Sequence, residues 1–237
     1  MKIKLNLYDK IIDCKAYKIK NVKKALYELG QEDEENTQET KIDILFNKLI
    51  KNIEDIDIKN LTMYEKLYIM LTIKSKIDED NITITHTCDH CKSVTESVIK
   101  ISEFVTLSNT SKTIRVLNDN INIKYADSFE KSINTDIIDI LPLVDAINIE
   151  REFNTILCPL NINAETTCIL CDNITQVPLT MDFMVDLVLP LDLENFYWME
   201  VNMKLKGYSL NEIENMYPYE LQLYSGMYDK LTGAKHE

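Results

Sequence analysis

Asn81-Ile-Thr-Ile-Thr-His-Thr-Cys88-Asp-His-Cys91 is the stretch that decides the fold, because the chain repeats it further on as Asn161-Ile-Asn-Ala-Glu-Thr-Thr-Cys168-Ile-Leu-Cys171. Laid over each other without a gap, Asn81/Asn161, Ile82/Ile162, Thr87/Thr167, Cys88/Cys168, Cys91/Cys171, Thr95/Thr175, Val105/Val185 and Leu107/Leu187 are identical. A Cys-x-x-Cys turn aims two thiolates at one point, and two such turns supply the four sulfurs of a closed tetrahedral site. The spacing predicts a structural zinc held by Cys88, Cys91, Cys168 and Cys171. Half a site binds weakly, so the chain must fold back over the long segment between Cys91 and Cys168, which reads as an insertion.

Alternation in Val98-Ile99-Lys100-Ile101 and Val177-Pro178-Leu179-Thr180-Met181 predicts short strands beside each turn, which makes each turn a knuckle. A redox-active pair is the first alternative. Thioredoxin-type chemistry places its motif at the start of a helix in a βαβ unit, and these flanks read as strands. Accidental thiols are the other alternative. Cys14 and Cys158 read as plain buried thiols, with Cys158 close enough in sequence to the second knuckle to be an alternate ligand.

A chain of 237 residues is long enough to bury a sizeable core, and its 45% apolar and 27% charged residues are those of a soluble globular protein. No apolar run approaches the ~20 residues a bilayer span needs, and Met1–Leu7 alternates like a strand rather than a signal peptide. Six cysteines, four of them in Cys-x-x-Cys pairs, suit a reducing compartment. The net charge of −13 argues against nucleic-acid binding, which relies on Lys and Arg to neutralise phosphates.

The expected fold class is α+β. A zinc-ribbon-like unit is built from two distant knuckles, with an inserted hairpin-and-helix segment and a helical C-terminal region. Three segments are expected, 1–60, 61–192 and 193–237. In the first, strands over 2–8 and 11–18 form a hairpin, and helices span about 21–29 and 41–52 around a solvated acidic loop at 31–40. In the second, Thr62-Met-Tyr-Glu65 is a capping box that opens an amphipathic helix over 63–76, with Tyr64, Leu67, Tyr68 and Leu71 on one face. Between the knuckles, Thr113–Leu117 and Ile121–Tyr125 flank Asn118-Asp119-Asn120 as a hairpin, and 127–150 reads as helix interrupted near Pro142.

In the third segment Leu193, Tyr197, Val201 and Leu205 recur at helical spacing, and Gly207 closes that helix. Ser209-Leu-Asn-Glu212 is a second capping box, and Pro218 fits the first turn of a last helix. On that helix Tyr217, Leu221, Tyr224, Tyr228 and Leu231 form a stripe that reads either as core or as a docking face for a partner. Thr232–Glu237 reads as a frayed end.

Four glycines leave no phosphate-cradling loop, and the His-Glu-x-x-His and Gly-x-Ser-x-Gly motifs are absent. Of three histidines, His236 lies in the tail and His86 and His90 belong to the first knuckle. No residue stands out for acid–base work, so no catalytic residue is nominated and the chain reads as a non-enzyme.

Leu61-Thr62-Met63-Tyr64-Glu65 leads through a helix into the first knuckle, the second knuckle follows, and the end reads Tyr208-Ser-Leu-Asn-Glu-Ile213-Glu-Asn-Met216-Tyr-Pro-Tyr219-Glu220. This order over residues 60–230 resembles the baseplate hub proteins of T4-like contractile-tailed bacteriophages, with their paired Cys-x-x-Cys motifs and an Ile-x-x-Met-Pro-like entry to a C-terminal helix. Here Tyr217 separates Met216 from Pro218, and glycines beside the knuckles are lacking. The resemblance implies a role in building the baseplate hub, with other hub or tail-assembly proteins as partners, in the cytoplasm of the infected host cell or in the virion. The rival readings are an acidic zinc-ribbon adaptor of phage transcription or replication and a zinc-dependent or thiol-redox enzyme.

Overall fold

The computed structural model describes residues 1–8, 10–31, 37–50, 53, 56, 58–78, 80–108, 110, 112–116, 119–123, 142–156, 158–189 and 193–232. Strands β1 (Lys2–Leu7) and β2 (Lys10–Lys15) form an antiparallel hairpin that opens the chain. Helices α1 (Ile19–Leu29) and α2 (Gln38–Leu49) follow, then α3 (Met63–Ile77). The first knuckle hairpin pairs β3 (Asn81–Thr87) with β4 (Val94–Lys100) and runs into a single turn, α4 (Ile101–Phe104). The segment beyond contains β5 (Thr106–Leu107), β6 (Lys112–Val116), β7 (Asp119–Ile123), α5 (Leu143–Phe153) and β8 (Leu160–Asn161). The second knuckle hairpin pairs β9 (Asn163–Thr167) with β10 (Ile174–Pro178). Four helices end the described chain: α6 (Met181–Val188), α7 (Leu193–Leu205), α8 (Leu210–Asn215) and α9 (Pro218–Thr232). Helices alternating with small antiparallel hairpins make this an α+β fold.

The organising helix is α3. Thr62 accepts from the Glu65 backbone at 3.3 Å while Glu65 accepts from the Thr62 backbone at 2.7 Å, so the expected capping box is present. The expected one-sided face is wider than the sequence spacing indicated. Leu67, Ile69, Met70, Leu71 and Ile73 are all fully buried. Tyr68, expected on the inner face, is half-buried with Thr72 and Ser75, and Lys76 is exposed, so the helix is enclosed over most but not all of its circumference. Around it pack β1, α2, α4 and α6, and one hydrophobic core runs from Ile3 to Leu221. The three segments expected from the sequence therefore share a core.

The segment between the knuckles leaves and returns at one place. Thr106 pairs with Asn161 and Leu107 with Leu160, so β5 and β8 clasp its base. Lys112 of β6 forms an ion pair with Glu152 of α5. The β6–β7 register puts Val116 opposite Asp119, so Asp119 and Asn120 belong to a strand rather than to the expected turn, and Asn118 lies outside the described residues. Pro142 caps α5, which agrees with the expected break, while the expected helix over 127–141 also lies outside them.

Several expected boundaries shift for local reasons. Ile101 and Met181 were expected to continue strands, but both begin helices. Asp80 accepts from the Ser102 backbone and hydroxyl, and Thr180 accepts from the Phe183 backbone at 3.2 Å, so each turn has a capping partner. The acidic loop ends earlier than expected, because Thr37 caps α2 and Gln38–Thr40 are helical; residues 32–36 lie outside the described residues. On α7 the buried face holds Phe196, Glu200 and Met203, not the Tyr197, Val201 and Leu205 series, which is exposed. Glu200 accepts from Lys23 at 2.8 Å and from Lys204 at 2.9 Å, which ties this face to α1.

The close of α7 follows the expectation. Gly207 sits at φ +96°, its N–H donates to Lys204 O at 3.0 Å, and the Tyr208 N–H donates to Met203 O at 3.1 Å. This is a Schellman cap. A methyl group at Gly207 would meet nothing within 4 Å, so Gly207→Ala isolates the backbone cost of the left-handed conformation. We expect it to cost about 1 kcal/mol, lowering the melting temperature by about 2–4 °C. An unchanged melting temperature would contradict the cap.

Candidate metal centre

The two knuckles repeat each other in structure as well as in sequence. The Cys88 N–H donates to Ser93 O and the Lys92 N–H to Cys88 O; in the second copy the Cys168 N–H donates to Asn173 O and the Asp172 N–H to Cys168 O. Exposure follows the same order along 82–90 and 162–170, and again along 92–100 and 172–180. Lys92 and Asp172 occupy the left-handed position of each turn, at φ 60° and 54°. This answers the lack of glycine: both turns close tightly on residues that bear side chains, at a modest conformational cost for Lys92 and less for Asp172.

Each hairpin buries one face. His86 lies opposite Thr95 in the first and Thr166 opposite Thr175 in the second, and all four are buried. The His86 Nε2 and Thr166 Oγ1 are 2.9 Å apart, which joins the equivalent positions of the two repeats across the centre. Beneath this polar layer Ile84, Ile99, Ala164 and Leu179 are buried and carry the unit into the main core. From sequence alone His86 stood merely beside a knuckle, and Thr166 did not stand out. The available signal was that two polar residues sit at the inward parity of matched strands.

Above the polar layer the four cysteines meet. Cys88 Sγ is 3.7 Å from Cys171 Sγ, Cys91 Sγ is 3.6 Å from Cys168 Sγ, and all four sulfurs lie within 4.8 Å of one another. The two short contacts interchange when each repeat is swapped for the other, so the arrangement has the self-complementarity of a two-fold. A regular tetrahedron with metal–sulfur bonds of about 2.3 Å has edges of about 3.8 Å. The sulfurs therefore fit a single tetrahedral ion. Cys88 and Cys168 are fully buried, Cys171 is partly exposed and Cys91 is exposed, so the ion's place is at the rim.

The protonation of the set also favours a cation. Cys168 is pulled down to about 5 by the Leu170 backbone N–H, against the effect of burial, and the Ser93 and Thr95 hydroxyls and the Cys171 backbone help. Cys91 is lowered by the Ser93 hydroxyl and backbone. Cys171 is helped by the Asn173 backbone, but burial and the sulfurs of Cys91, Cys168 and Cys88 push it up to about 12. The Cys168 thiolate therefore forms readily, while Cys171 resists ionising among the other sulfurs. A divalent ion at the centre reverses that resistance.

The other expected sites divide. Cys14 is buried and its thiol is pushed up to about 11 by burial and then by Asp13, as in an inert core cysteine. Cys158 is exposed rather than buried, stands outside the four-sulfur cluster, and donates to Leu160 O at 3.6 Å. His90 is exposed at the tip of its knuckle. On the C-terminal stripe Leu221 is only 2% exposed and belongs to the core, so it cannot serve a docking face. Tyr217 is half-buried, with the Lys18 Nζ 5.4 Å from its ring centroid. Tyr224 stacks on Tyr208 at 6.1 Å, and the side chains of Tyr228 and Leu231 lie outside the described residues. Of the described stripe side chains, Leu221 and Tyr217 pack within the chain, whereas Tyr224 remains 37% exposed. No described helix is long and apolar enough to cross a membrane.

Comparison with protein-family models, with curated proteins and with solved structures finds no match.

Metal binding must displace the protons of the thiols that are still protonated. Because Cys168 is already a thiolate near neutrality, we expect fewer than four protons to be released, so apparent affinity should fall from pH 7 to pH 6 by less than the roughly ten-thousandfold that four protons would give. Competition with a chromophoric chelator across that range checks this, and a slope of four would contradict the low value of Cys168. Ser93→Ala should keep the metal but weaken its binding by about tenfold or more, through loss of the hydroxyl that serves Cys91 and Cys168.

Proposed function

We propose that this chain is a baseplate hub subunit or hub assembly factor of a contractile-tailed bacteriophage, acting through protein contacts, with a structural zinc on Cys88, Cys91, Cys168 and Cys171. The observation that carries the reading is the four-sulfur cluster that joins two knuckles far apart in the sequence. It is the most specific part of the resemblance to the hub proteins. The capping boxes at Thr62 and Ser209 and the turn at Pro218, the other parts of that resemblance, support it as well.

Zinc is the ion of choice for four thiolates in a tetrahedron, having no redox chemistry and no geometric preference of its own. Sulfurs 3.6–3.7 Å apart suit one ion rather than a multi-iron cluster. Four thiolates would fill its coordination shell, so the ion's role in this reading is structural and the chain performs no reaction. Binding of this kind is worth on the order of 10 kcal/mol to folding. The acidic surface turns the chain towards protein partners rather than nucleic acid.

Quantitative mass spectrometry of purified particles, beside a tagged pull-down from the cells that make the chain, tests the role. A few copies per particle with hub proteins co-purifying is the result expected of a subunit. Hub proteins in the pull-down without the chain in particles is the result expected of an assembly factor. Recovery of polymerase subunits in place of hub proteins would overturn both in favour of the adaptor.

A further inference from the structure

The two knuckles share their backbone hydrogen bonds, left-handed positions and pattern of exposure, so the fold does not dictate which residues stand between the cysteines. The first knuckle carries Asp89 and His90 there, both exposed. The second carries Ile169 and Leu170, 76% and 71% exposed, with Ile174 just beyond at 59%. The counterpart of Ile174 is Val94, itself 71% exposed, but between the cysteines the first knuckle acts as an internal control: the turn accepts polar residues there. Aliphatic ones contribute nothing to the core and leave apolar surface in water.

We propose that Ile169 and Leu170, backed by Ile174, form a preformed knob that inserts into an apolar pocket on a partner protein. The inference rests on the reading of the chain as an assembly protein. A turn whose ends are pinned at one four-sulfur centre needs little further ordering on binding, which favours affinity. The occupant is a different protein rather than a second copy. Two chains of charge −13 repel each other, which disfavours a second copy. A bilayer fits less well, because Asp89 and Asp172 are exposed around the same centre with Lys92 as their counter-charge, and anionic lipid repels carboxylates. Those carboxylates call instead for a pocket rimmed by donor or basic groups.

The test uses the full chain with a photo-crosslinking benzoylphenylalanine at position 170 or, as control, at the matching position 90, in the cells that make it. The captured protein is identified and purified, and its affinity is measured by calorimetry for the natural chain and for Ile169→Asp/Leu170→His. That double variant copies the first knuckle, so metal content and melting temperature should not change. The expected result is capture of one partner protein from position 170 and not from position 90, and an affinity loss of about tenfold or more in the variant. Equal capture from both positions, capture only of lipid or of a second copy, no capture, or unchanged affinity would overturn it. A captured partner from outside the hub whose binding the variant weakens would support the knob and refute the hub role. Hub proteins that bind the variant as well as the natural chain would refute the knob and leave the hub role standing.

Discussion

Four sulfurs cannot come within 4.8 Å of one another, with the whole stretch from Lys92 to Thr167 between the second and the third, unless the chain leaves one hairpin and returns to complete another beside it. That closure organises the rest of the molecule. The entropy of bringing distant segments together grows only slowly with their separation, so a long insertion is tolerated if its ends are fixed. Here they are fixed by the β5–β8 clasp. The return places α6 directly after the second hairpin, where it packs on α2 and α3. The cysteine cluster and the helical core are therefore two ends of one structure, with the His86–Thr166 layer between them.

The polar layer has a physical purpose. Thiolates need donors nearby and tolerate an apolar surround poorly, and the hydroxyls of Ser93 and Thr95 stand 3.7 Å from the Cys168 sulfur. Below it the side chains turn aliphatic, so the unit passes from charged to polar to apolar over a few residue pairs. The same grading occurs on both hairpins because both carry one pattern of residues.

What could be read from the sequence was local. Capping boxes at Thr62 and Ser209 and the left-handed cap at Gly207 involve residues a few positions apart, and the chemistry of each is complete in its own segment. The cysteine cluster was legible for a different reason: a repeat at fixed offset carries long-range information. The buried face of α7 was not legible, because that helix has apolar residues on both sides, with Phe196 and Met203 inward and Trp198, Val201 and Leu205 outward. Spacing cannot choose between two apolar faces; the pairing of Glu200 with Lys23 of α1 does so only once the fold is formed. Leu221 was ambiguous in the same way, since a tyrosine-rich stripe suits either a core or an interface.

The central claim is that one metal ion joins the two repeats. The most direct measurement is the intact mass of the chain as purified, under conditions that preserve its fold, with elemental analysis of the same sample. The predicted result is one zinc per chain, displacing the thiol protons and lost when the protein unfolds. A folded chain at its bare mass, with all six cysteines free, would contradict it.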